Sequence, residues 1–268
     1  MRRALFITIT ITVLIVAAAA SGQNVDTRTP QAQLLIPAAG AQAGSNNTFF
    51  RSDITLVNYR GISQRVRLQW LPQDVSGVGL SPVDITINGG SGIASEDFVT
   101  TVMQKTGLGA ILVTGIDSGG EPDPQALLVA TSRIWTPENG SAGTQSQSLP
   151  SVIPADIVSG NVTILGARRD SRYRVNVGIV NLSSTTQTYS VTVGGSFGTN
   201  VSQVSVPGMA MTLNGVTGAA STTPLQVQVL NVGTPPRSTS WVAFASSVDN
   251  ITGDAWTMLG FSVGAPPP

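Results

Sequence analysis

Apolar and polar residues alternate along most of this chain with a period of two. Val66, Leu68 and Trp70 alternate with Arg65, Arg67 and Gln69, which predicts a strand with one buried and one charged face. Val83, Ile85 and Ile87 alternate with Asp84 and Thr86 ahead of the turn Asn88-Gly89-Gly90. Further strands are predicted at residues 110–116, 126–135, 162–167, 174–182, 188–193, 201–206, 225–232, 241–248 and 255–263. These runs are rich in Val, Ile and Thr and bounded by Gly, Pro, Asn or Ser. One helix is predicted over residues 96–104, with Ser95 as N-cap, Phe98 and Val102 one turn apart and Gly107 as the stop.

The pattern occurs twice. Residues 50–58 read FRSDITLVN and residues 173–181 read YRVNVGIVN, displaced by 123 positions. Both fit aromatic-Arg-x-(Asp/Asn)-(Ile/Val)-x-(Leu/Ile)-Val-Asn. A weaker match sets LVATSR at 128–133 against AFASSV at 243–248, displaced by 115. Two matches in the same order predict duplication of a whole domain, whereas a solenoid needs at least three units. Each copy holds about seven strands in about 110 residues, the arithmetic of a β-sandwich. The fold class expected is therefore all-β, with two tandem antiparallel immunoglobulin-like β-sandwich domains. The Pro-containing stretch 149–154 lies between the copies and suits a semi-rigid linker or the first strand of copy two.

The N-terminus stands apart from this pattern. Met1-Arg2-Arg3 precedes an apolar run over residues 4–20, and Ala18 and Ala20 form an A-x-A site ahead of Ser21. Basic start, apolar run and small-residue site together predict a secretory signal peptide, residues 1–22. The expected divisions after it are 23–154, 155–264 and a Pro-rich tail at 265–268. The mature protein is expected to be secreted, extracellular or periplasmic, without a membrane span.

Composition narrows the chemistry. With no His and no Cys among 268 residues, imidazole catalysis, thiol nucleophiles and disulfides are excluded. Charged residues are only 10% of the chain, and acids and bases balance at 14 each. Nucleic acid is therefore not an expected partner, since it calls for a basic surface. A Ser or Thr nucleophile has no His as base, and Lys105, the single Lys, lies in no S-x-x-K motif. The scattered acids form no recognisable pair for glycoside hydrolysis. No catalytic residue is assigned.

The segments FRSDITLVN, YRVNVGIVN, GLGAILVT (107–114), TSRIW (131–135) and ASSVDNITGD (245–254) resemble those of a group of secreted bacterial proteins. Proteins of that group carry paired immunoglobulin-like or fibronectin-like β-sandwich domains. The resemblance implies extracellular location and fold and brings no catalytic residues with it. The polar loop 118–124 is longer than the pattern.

Four groups are candidate sites. Trp135 and Trp256 fall near strand ends in polar surroundings and are candidate platforms for sugar rings, whereas Trp70 and Trp241 have the phase of core residues. Arg168 and Arg169, with Arg172 and Arg174, form the densest basic cluster, either a polyanion contact or a solvated turn. Asp249, Asn250 and Asp254 offer oxygen ligands for Ca²⁺, although Asp and Asn in such loops commonly bond local amides. No other cofactor is expected. The pairs Arg51/Asp53 and Arg174/Asn176 lie on one strand face, able to hold a carboxylate or sugar hydroxyls, but their presence in both copies favours a structural clamp. The expected role is a non-catalytic structural or adhesive module whose partner is an extracellular protein or polysaccharide, with carbohydrate binding as the alternative.

Overall fold

A computed structural model describes residues 30–44, 48–138, 142–153, 160–195, 198–217, 224–233 and 240–262. The signal peptide at 1–22, the 154/155 boundary and the tail at 265–268 lie outside the described residues. Within them the chain is all-β and its strand pairings are antiparallel, with one four-residue helix.

In the N-terminal half, β4 (Val83–Ile87), β3 (Gln64–Pro72), β6 (Gly107–Ile116) and β1 (Gln33–Ala43) form one four-strand layer. The facing layer comprises β5 (Ser91–Ser95), β2 (Phe49–Asn58), β7 (Leu128–Pro137) and β8 (Thr144–Pro150). Gln42 and Ala43 pair with Phe50 and Phe49, so β1 joins the layers into one eight-stranded sheet. The inward residues of both layers, among them Ile36, Ile54, Leu68 and Ile111, form a single apolar cluster. Trp70 belongs to it, as its phase predicts.

The C-terminal half repeats this plan. One layer runs β12 (Gly198–Val206), β11 (Gln187–Gly195), β14 (Leu225–Asn231), β9 (Val162–Ala167), with β17 (Phe261–Ser262) beyond β9. The other runs β13 (Ala210–Gly215), β10 (Tyr173–Asn181), β15 (Trp241–Asp249), β16 (Ala255–Leu259). Trp241, Tyr189, Val177 and Val227 lie in the cluster between them. Strand by strand, β1–β7 correspond to β9–β15 in pairing order. In the immunoglobulin order the first strand lies beside the second and the last beside the sixth. Here β1 runs along β6 for most of its length and β7 runs along β2, so the outer strands have changed places.

Register corrects the weaker sequence match. Asn58 lies opposite Leu128, and Asn181 lies opposite Trp241, so Leu128 corresponds to Trp241 rather than to Ala243. The match was two residues out. A slip of two preserves the alternation of faces and so leaves the apolar pattern unchanged.

A third apolar layer fuses the halves. Leu35, Ala38, Leu71, Leu149 and Val152 on one side meet Val180, Met211, Val242 and Phe244 on the other. In β15 the residues Trp241, Ala243 and Ala245 face the second cluster, whereas Val242 and Phe244 face this third one. That explains why residues 241–245 are buried on both faces and read as a continuous apolar run. In place of a semi-rigid linker or the first strand of the second copy, residues 149–150 end β8, which pairs with β7, and Leu35 and Val152 exchange both backbone hydrogen bonds, at 2.8 and 2.7 Å. At the joint the Asp74 amide donates to Met211 O (2.9 Å), and the Thr212 hydroxyl donates to the Asp74 carboxylate at 2.6 Å.

Two predicted elements differ. The helix, α1, covers only Phe98–Thr101, with Asp97 rather than Ser95 at its N-cap. Ser95 Oγ instead accepts from the Asp97 amide at 3.2 Å. The run 255–263 divides at Gly260 into β16, paired with β15, and β17, paired with β9. A Cβ at Gly260 would lie 2.2 Å from Val162 Cγ1, so only glycine allows the crossing between layers.

Candidate binding cleft

Where the two halves diverge beyond their shared apolar layer, they leave a cleft of about 880 Å³. One wall comes from the ends of β1, β2, β7 and β8, with Phe50, Gln145 and Gln147. The other comes from β10, β15 and the turn after β15, with Arg174, Asn176 and Asn250. Phe244 and Leu149 lie at its floor and belong to the apolar layer beneath. Gln147 bridges the walls: its amide nitrogen donates to Ser246 Oγ at 2.8 Å and to Thr257 Oγ1. Gly253 comes so close to Gln145 that a Cβ there would lie 2.4 Å from Oε1.

The predicted metal loop forms one end of this wall as a closed turn. The Asp249 amide donates to Asp254 O and the Gly253 amide to Asp249 O, both at 2.8 Å. Asp249 Oδ1 accepts from the amides of Ile251 (2.8 Å) and Thr252 (3.3 Å), while its Oδ2 takes Arg172 Nη2 at 2.6 Å. The hydrogen bond from Arg172, helped by the two amides, holds the Asp249 carboxyl below the usual range, and Arg172 is raised in return. The carboxylate thus has internal partners, and Asp254 contributes its backbone to the turn while the residue is exposed. Among the described residues no group of three acids is placed to hold a metal ion.

The basic cluster is a stack of rings and guanidinium groups. Asp170 Oδ1 accepts from the amides of Arg172 (2.8 Å) and Tyr173 (3.0 Å), which turns the chain into β10 and lowers the Asp170 pKa. Arg168 lies 4.4 Å and Arg172 5.4 Å from the Tyr173 ring centre. Trp256 meets the same ring edge-on, with centroids 5.6 Å apart. Arg168 pairs with Asp170 at 3.2 Å, and Arg169 is half-buried beside it. Of the seven predicted site residues, Trp256, Arg168, Asp249, Asn250 and Asp254 are therefore drawn together around β10 and β15.

Trp135 is placed elsewhere. Its indole N–H donates to Glu96 O at 2.9 Å and Arg51 lies 5.7 Å from its ring, so it secures the segment entering α1. The two tryptophans do not form one platform. Sequence reasoning missed the cleft residues of β8, because TQSQSLP carries an alternation of amides and hydroxyls without an apolar phase. No family model, no curated protein and no solved structure matches the chain.

Proposed function

We propose that the chain is an exported, non-catalytic adhesive module of two tandem antiparallel β-sandwich domains, pairing through a sheet edge with another polypeptide. The observation that carries this reading is β12. It is nine residues long (GTNVSQVSV), lies at the end of its layer, and contains no charged residue and no proline. Protein edges are ordinarily blunted by charge, proline, shortness or cover. The other edges of the two halves have such protection: β4 and β5 are five residues long, β8 is tied to β16 through Gln147, and β13 packs against β3 and β6. Val201, 62% exposed, lies near the middle of the unprotected edge. The ionisable groups support a non-catalytic role, since among the described residues each carboxyl group with a displaced pKa is displaced downward by hydrogen-bonded partners. A general acid requires the opposite displacement.

Sedimentation over a wide concentration range, with a pull-down from cell-surface material, tests the reading. The wild-type protein is expected to associate with itself or to retain a surface protein, and Val201→Lys to do neither. A wild-type monomer at the highest concentration that retains nothing overturns it. A second reading, saccharide binding, is favoured by the amide-lined cleft between the halves rather than by the separated tryptophans.

A further inference from the structure

Resting on the saccharide reading of the cleft, we propose that Arg174 makes it selective for saccharides bearing a carboxylate, of the uronic-acid class. The argument comes from comparing two positions that the duplication made equivalent. In the first half Arg51 has an acidic partner: its Nε lies 3.6 Å from the Asp97 carboxylate, and its guanidinium lies over the Phe49 ring, 4.8 Å from the ring centre. Two residues on, Asp53 pairs with Arg133 at 3.1 Å. In the second half both acids are missing from the equivalent places. Asn176 stands where Asp53 would, and Arg174 donates to the neutral Asn250 Oδ1 at 2.7 Å. Among the described residues no carboxylate lies within ion-pair distance of Arg174. The clamp of one copy is, in the other, an exposed guanidinium that lines the cleft.

A guanidinium fork matches a carboxylate in two parallel hydrogen bonds, which neutral hydroxyls do not reproduce. Around it, Asn176 and Gln145 supply side-chain amides, the usual partners of sugar hydroxyls, and Phe50 offers a partly exposed ring at 37%. The volume falls within the range of about 300–1,000 Å³ typical of ligand sites. The other charges on the walls are Glu138, at the opposite rim, and Asp249, which Arg172 neutralises. An acidic peptide fits less well. The β8 and β16 edges that flank the cleft are bridged by Gln147, leaving no free backbone ladder to receive a strand.

Calorimetric titration of the full chain with tetragalacturonate, its methyl ester and polyglutamate tests the proposal. The acid form is expected to bind saturably and the ester about tenfold more weakly or worse. Arg174→Gln should bind acid and ester alike with an unchanged melting temperature, and Arg174→Lys should recover part of the preference. If the ester binds as tightly as the acid and Arg174→Gln changes nothing, the saccharide reading stands and this inference falls. If neither saccharide binds, both fall. If polyglutamate binds as well as tetragalacturonate, the ligand class is overturned.

Discussion

Asn58 and Asn181, the last residues of the duplicated motif, do the same work in both halves. Each is fully buried at the end of its strand. The Asn58 amide donates to Ile62 O (2.8 Å), Ile87 O (3.2 Å) and Asn88 O (3.2 Å), and its Oδ1 accepts from the Arg60 amide (2.9 Å). Asn181 repeats this with Thr185 O, Val206 O, Pro207 O and the Ser183 amide. One side chain thus stitches the turn after its strand to the end of the fourth strand of its half. Asn58→Ala or Asn181→Ala removes the side-chain donor from one buried and two partly buried carbonyls and the acceptor from one amide, and should destabilise the protein by about 3 kcal/mol in denaturant unfolding. In the sequence this asparagine is a repeated letter that shares its motif with an arginine of more conspicuous chemistry. The asparagine's role depends on carbonyls up to 30 residues away, which no local pattern reveals.

At the level of elements, legibility followed apolar alternation. Strands β3, β4 and β14 have one more buried and one more open face, and their phases are readable. Strand β1 (QLLIPAAGAQA) is not, because Pro37 and Gly40 mimic a turn. The register shift between Ile36 and Ala39 accommodates that proline, as bulges do. The oxygens of the turn after β15 are visible in the sequence, as cation ligands or as partners of local amides, whereas Arg172, a residue 77 positions from Asp249, is not. The Asp249–Arg172 pair fixes the entry of β10 to the exit of β15, and its pH dependence has a definite sign. With the folded pKa of Asp249 below its ordinary 3.8, the stabilisation is complete above the ordinary carboxyl range and is lost as pH falls through the depressed value. Asp123 and Asp170 shift in the same direction. Melting temperature should therefore hold steady down to about pH 5 and decline below about pH 4. Asp249→Asn should melt lower at neutral pH and show a shallower acid decline, measured by circular dichroism.

For the whole molecule, the repeat of the strand plan is legible in the sequence and the union of the two halves is not. The residues of the third layer, such as Leu35, Val180 and Val242, occupy the phase opposite to each half's own core. From sequence alone they are indistinguishable from ordinary exposed apolar positions. The joint they form is tight. Asp74 and Met209 flank it with φ of 57° and 50°, a region that non-glycine residues seldom adopt. A Cβ on Gly77 would lie 2.2 Å from Met209 O. Gly77→Ala should force this contact apart and cost about 1–3 kcal/mol. It should also enlarge the radius of gyration in solution scattering, whereas a substitution confined to one core would lower stability without that expansion.

That joint governs how the molecule answers a pull. Two lobes strung on a loose tether would swivel and let the tether absorb the first extension. Lobes welded along an apolar seam carry tension as one stiff body, so a tug on one lobe reaches the other before any strand unzips.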